Sequence, residues 1–122
     1  MKVIDNKYTM THNRGAKGSI KLISKNGNYK VGTTFKFSIV DEKYDDVVFQ
    51  KEFEVKEECS EFFLTFTNEE MRFYKPISQE REFYYEIEMN DDTTLIGYDE
   101  DKHKKFILYP EAIKKEVSRW LT

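Results

Sequence analysis

Apolar and polar residues alternate with a period of two through most of this chain. In "TTFKFSIVD" (33–41), Phe35, Phe37 and Ile39 share one parity while Lys36 and Ser38 share the other. "REFYYEIEM" (81–89) is the cleanest case, with Phe83, Tyr85, Ile87 and Met89 predicted inward and Tyr84, Glu86 and Glu88 outward. "VVFQKEFEV" (47–55) puts Val47, Phe49, Phe53 and Val55 on one side, with Lys51 among them as an edge residue or a bulge would place it. "FFLTFT" (62–67) turns Phe62, Leu64 and Phe66 the same way. Shorter strands are read in "KYTMT" (7–11), "SIKLIS" (19–24), "TTLIGYD" (93–99) and "KKFILY" (104–109).

Between these runs lie turn residues, with Asn26-Gly27 the strongest short hairpin signal. "NEEMRFYKPISQE" (68–80) breaks the alternation. There Thr67 or Asn68 can cap a single helical turn, Glu69 and Glu70 sit near its positive end, and Pro76 closes it. About seven short strands separated by turns, without helix–strand alternation, predict an all-β fold, an antiparallel β-sandwich over residues 1–109.

After Pro110 the rhythm changes. Ile113, Val117, Trp120 and Leu121 fall at helical spacing, with Lys114, Lys115, Glu116 and Arg119 largely off that stripe. Pro110 and Glu111 suit a first helical turn. A short amphipathic α-helix is therefore expected over 110–122. At about twelve residues it is marginal alone in water and must bury its stripe on its own sandwich or on a partner, with Trp120 as anchor.

Composition narrows the function classes. The 122 residues suit one domain, and ten Phe and eight Tyr against two Ala favour pleated, half-buried surfaces. A net charge of −3 gives no concentrated basic surface for nucleic acid. No apolar run approaches the ~20 residues of a membrane span, and "MKVIDNKYTM" lacks a signal-peptide core, so a cytoplasmic site of synthesis is expected. The one cysteine, Cys59, allows no intrachain disulfide.

Candidate chemistry is sparse. Cys59 follows Glu57 and Glu58, which oppose a thiolate, and reads as a bystander at a turn. His12 and His103 are the conventional bases, and His103 lies in the polar turn "DEDKHK". Asp41-Glu42, Asp45-Asp46, Asp91-Asp92 and Asp99-Glu100-Asp101 are oxygen-rich, but none has calcium-loop spacing, and turn Asp residues bond their own backbone. "RGAKG" (14–18) has glycines and cations without a nucleotide fingerprint. Outward Tyr84 and Tyr98 could stack on a sugar or base, or could serve as cross-strand packing partners. No metal, cofactor or catalytic set is implied.

The ordered succession of "YTMT", "GSIKLI", "VGTTFKFSIVD", "VVFQKEFEV", a T-x-E-E turn, "FYYEIEM" and "TTLIGYD…KKFILYPEA" resembles small β-sandwich proteins of tailed phages and prophages of Gram-positive bacteria. In particular it is similar to the N-terminal domain of the phage baseplate upper protein family, over roughly residues 5–112. The resemblance implies an immunoglobulin-like sandwich and a non-enzymatic virion structural protein of the tail or baseplate. It would be assembled in the host cytoplasm and act on other phage structural proteins or on copies of itself, with no small-molecule substrate. Two alternatives stand beside it. One is a carbohydrate- or host-surface-binding sandwich using Tyr84, Tyr98 and the acidic loops, and the other is a small enzyme whose cleft the sequence does not reveal. The interaction candidates are Ile113, Val117, Trp120, Leu121, Tyr84 and Tyr98.

Overall fold

The computed structural model of the chain describes residues 1–41, 46–97 and 104–112. Its elements are β1 (Lys2–Val3), β2 (Met10–Asn13), β3 (Gly18–Ile23), β4 (Thr34–Asp41), β5 (Asp46–Glu54), β6 (Glu61–Phe66), a 3₁₀ turn (Glu70–Arg72), β7 (Arg81–Met89), β8 (Thr93–Ile96) and β9 (Lys104–Tyr109). Seven strands form one sheet in the order β1-β2-β9-β7-β4-β5, with β8 also paired to β7. One edge of β7 pairs with β4, and the other is shared lengthwise: β9 takes Arg81 to Tyr85, and β8 takes Ile87 to Met89. The second sheet is the antiparallel pair β3–β6.

The period-two pattern explains how the layers meet. The large sheet turns Phe35, Phe37, Ile39, Phe83, Tyr85, Ile87, Phe106 and Leu108 inward, and the small sheet answers with Leu22, Leu64 and Phe66, all buried. Phe37 is the hub, with ring centroids 5.0 Å from Phe66, 6.0 Å from Tyr85, 6.3 Å from Phe49 and 6.5 Å from Phe106. Tilted and edge-on rings at these spacings bring the positive edge of one to the negative face of another. The all-β expectation is met, and the layers pack as a sandwich.

Several details differ from the reading of the sequence. The sandwich is not wholly antiparallel, because β2 runs parallel to β9, with Met10 opposite Phe106 and Asn13 opposite Tyr109. Such a pair needs a long connection, and here nearly the whole chain separates the two strands. Val47 points outward and is 57% exposed, while Val48 packs on the core. The cause is a register shift between Ile39 and Val40, where Ile39 pairs with Phe49 but Val40 pairs with Val47. Val48 is thus the extra residue of a bulge, and every position before it changes face.

The single turn between β6 and β7 forms as expected and is closed by Thr67. Its Oγ1 accepts from the Glu70 N–H at 3.1 Å, and Glu70 Oε1 accepts from the Thr67 N–H at 2.8 Å. This is the reciprocal satisfaction of a capping box. Asn68 instead donates to the Gly15 carbonyl at 2.8 Å.

Residues 110–112 run on from β9 without helical structure. Glu111 is held by two arginines. Its carboxylate is gripped by Arg14 Nη1 at 2.9 Å and by Arg72 Nε and Nη2 at 3.0 and 2.8 Å. The Arg72 hydrogen bond, with the two arginine charges, holds the Glu111 carboxyl below its usual range. Gly15, at φ +77°, passes directly beneath this clamp, where a Cβ would collide with the Glu111 carboxylate. The expected helical stripe of Ile113, Val117, Trp120 and Leu121 lies outside the described residues.

Candidate functional site

The two open sides of the sandwich are treated differently. On the β6 side, Lys51 reaches across from β5 and donates to the Thr65 carbonyl at 2.8 Å and to Glu70 Oε1 at 2.8 Å. Its ammonium also lies 5.1 Å and 5.6 Å from the ring centroids of Phe53 and Phe66. Partial burial pushes the Glu70 carboxyl up, but the hydrogen bonds from Lys51 and Thr67 outweigh it and hold it low. The cation on the apolar parity of β5 therefore bridges the layers and occupies a backbone acceptor of β6. A charged residue at such a place is a usual defence of an edge strand.

On the β3 side there is instead a cleft of about 670 Å³. One wall is the continuous stretch Lys21, Leu22, Ile23, Ser24 and Lys25. Side chains of successive strand residues point to opposite faces, so Lys21, Leu22 and Ile23 of β3 line one cleft together where the backbone edge is turned towards it. The register agrees with this. The Ser24 N–H bonds the Ser60 carbonyl at 2.9 Å, so by alternation the backbone groups of Lys21 and Ile23 face away from β6. Among the described residues β3 has no second strand neighbour. The opposite wall is formed by Met89 and Asn90 at the end of β7 and by Leu95 and Ile96 of β8.

The cleft mouth is apolar and cationic. Ile23 is 60% exposed and Leu95 39%. Lys21, Lys25 and Lys30 line the space together with Asn26, Asn28 and Asn90, and among the described residues no Asp or Glu lines it. In a chain of net charge −3 that is a local reversal of sign. Lys21 and Lys30 meet Glu61 at 3.6 Å and Glu58 at 3.0 Å, carboxylates that stand outside the lining. Among the described residues Lys25 makes no ion pair.

Tyr8 completes the lining, 49% exposed and at φ 61°. A bulky residue in the left-handed region is strained, and such strain persists only where the surroundings enforce it. Asp5 enforces it from below, its Oδ1 accepting from the Lys7 N–H at 2.9 Å and the Thr9 N–H at 3.1 Å. The Thr9 bond, the largest influence, keeps the Asp5 carboxyl low and ionised. From the core, the Tyr85 hydroxyl donates to the Tyr8 carbonyl at 2.6 Å. Burial pushes that hydroxyl far above its ordinary value, so it remains a donor at any working pH.

Of the residues singled out from sequence, Tyr84 is half-buried on the outer face of β7, its hydroxyl 3.4 Å from Glu82 Oε1, and it does not line the cleft. Tyr98 and His103 lie outside the described residues, as do the four helical-stripe positions. His12 is buried, and its Nε2–H donates to the Ala16 carbonyl at 2.7 Å, tying down the loop after β2. Desolvation lowers its pKa and favours the neutral ring. Cys59 exchanges backbone bonds with Tyr29, at 2.7 and 3.2 Å, and packs against the core. Among the described residues no three His, Cys, Asp or Glu side chains converge to hold a metal, and no helix is long and apolar enough to cross a membrane.

The cleft had one trace in the sequence. Ile23 and Leu95 are apolar on a parity that should be polar, since Ile20 and Leu22 point inward while Ile23 does not. Nothing in the order of residues brings β3, β8 and Tyr8 together. Comparison with protein-family models, with curated proteins and with solved structures finds no match.

Proposed function

We propose that this chain is a non-enzymatic recognition and assembly module, an immunoglobulin-like sandwich of a phage tail or baseplate that joins other structural proteins of the particle. The phage attribution rests on the resemblance in the order of strand sequences. The immunoglobulin-like reading is supported by strand order, since β9-β7-β4-β5 opposite β3-β6 corresponds to G-F-C-C′ facing B-E of a variable-type domain. One observation carries the assembly reading: one side of the sandwich is closed by Lys51, while on the other no described strand pairs with the β3 edge, which faces an apolar, cationic cleft. Edges of this kind recruit partner strands. Among the described residues, His12 and Cys59 come closest to conventional chemistry, and both are engaged in holding loops.

The test is the protein content of particles purified after inducing the strain that carries the gene, measured by quantitative mass spectrometry. The module should appear at a fixed ratio to the tail proteins. Particles of full infectivity that lack it would refute the assignment.

A further inference from the structure

We propose that the β3 edge binds an extended, acidic segment of a partner protein, which adds as a third strand beside β3 and places its apolar side chains against Ile23, Leu95 and Tyr8. The inference deepens the assembly reading and rests on it only in taking the partner to be a protein.

Three observations converge on this occupant. The first is the backbone: Lys21 and Ile23 direct their N–H and C=O groups into the cleft, and no described strand answers them. An incoming strand satisfies these groups, and this main-chain pairing supplies affinity largely independent of sequence. The second is charge. Among the described residues Lys21, Lys25 and Lys30 line the cleft and no carboxylate does, so glutamates or aspartates of the guest would meet ammonium groups. A basic guest strand would meet repulsion at the same points, and that gives selectivity. The third is the mouth. Ile23, Leu95 and Tyr8 are exposed apolar surface around one cavity, and Tyr8 is held there against its backbone preference by Asp5 and Tyr85. Lys21 and Ile23 share the exposed face of β3, so the guest's side chains on that face meet both, an acid beside Lys21 and an apolar residue beside Ile23, while its other face turns towards the β8 wall.

The experiment is selection of a displayed random decapeptide library on the immobilised full chain, followed by affinity measurement of the selected peptides in solution. Ten residues exceed the six of β3 and so cover its whole edge. Enriched peptides should combine acidic and apolar residues, and their binding should weaken as salt is raised. The Lys21→Glu, Lys25→Glu double variant should weaken binding about tenfold or more, the loss expected when two favourable charge contacts become repulsive. Ile23→Pro removes an N–H that faces away from β6 and should abolish binding while leaving the melting temperature near that of the parent. Should Ile23→Pro unfold, amide exchange replaces it: the Lys21 and Ile23 amides of the parent must slow when the peptide is bound.

No enrichment, enrichment without acidic bias, or unchanged exchange at those amides overturns the proposal. So does binding of a sulfated oligosaccharide at the cleft in place of any peptide. A chain present in particles but negative here retains the assembly function and uses another surface, whereas a chain positive here and missing from particles loses only the phage assignment.

Discussion

Lys51→Met tests whether the closed side of the sandwich is closed by a charge. Methionine keeps the unbranched stem over Phe53 and Phe66 and removes only the ammonium. Three interactions are lost: the bond to the Thr65 carbonyl, the pair with Glu70 and the approach to two rings. A charged hydrogen bond contributes about 1.5–3 kcal/mol, a partly exposed ion pair ~1 or less, and a cation over a ring ~0.5–1. These overlap, because one ammonium makes all of them, and methionine recovers part by burying an apolar end where an ion had been partly desolvated. A net loss of about 1–2 kcal/mol is expected, lowering the melting temperature by roughly 4–8 °C in a domain of this length. The variant also frees the Thr65 carbonyl on β6, so its light-scattering mass should rise with concentration where that of the parent does not. Lys51→Arg, which keeps the charge, should restore much of both properties. A methionine variant that melts with the parent and keeps its mass at every concentration would refute the claim that Lys51 guards this edge.

Four further outcomes follow from the same structure. Phe37→Ala empties the ring hub and should cost ~3–5 kcal/mol in chemical denaturation, whereas Phe63→Ala, at a site 50% exposed, should cost well under half of that. Val47→Lys should be neutral within about 0.5 kcal/mol and Val48→Lys clearly destabilising, and the reverse order would remove the bulge. Tyr85→Phe deletes the donor to the Tyr8 carbonyl without leaving a cavity; it should cost about 1 kcal/mol and speed amide exchange at Tyr8 and Thr9, and unchanged exchange would show that Asp5 alone holds the turn. Glu86 is pushed up to about 7 by its hydrogen bond to Glu88, by partial burial and by the neighbouring charge, while that bond and Lys36 hold Glu88 low. The native state therefore binds the extra proton between the ordinary value of 4.5 and about 7, and stability falls as pH rises through that window. Glu86→Gln should flatten the slope and be the more stable protein at pH ~8, by about 1 kcal/mol once the ~1.36 per pKa unit is cut for solvent screening. Superimposable stability–pH curves would count against the shared proton.

What the sequence made legible follows from what alternation can encode. Period two names the inward face of a strand, so Phe35, Phe37 and Ile39, and Phe83, Tyr85 and Ile87, were readable as core. It carries no information about which strand lies beside which. The parallel pairing of β2 with β9 joins residues nearly the whole chain apart, and both strands would show the same local pattern in any neighbourhood. Nor does alternation survive an inserted residue: the bulge at Val48 inverted the reading of Val47, while Lys51, beyond it, was correctly seen as out of place. The stripe at 113, 117, 120 and 121 was the natural docking candidate because a helical period inside a β chain is conspicuous.

The cleft was harder to see because a binding edge is made of backbone, which every sequence contains. What marks it are side chains that break the pattern, and those point in opposite senses on the two sides. Lys51 is a cation where an apolar residue belongs, and it closes an edge. Ile23 and Leu95 are apolar where polar residues belong, and they flank an edge that no described strand covers. Were the open side only an imperfection of packing, the sequence would have no reason to hold Tyr8 in a left-handed conformation beside it with one carboxylate and one buried hydroxyl. A fold that defends one edge and builds a strained aromatic into the mouth of the other has an asymmetry that stability alone does not account for, and recognition at β3 does.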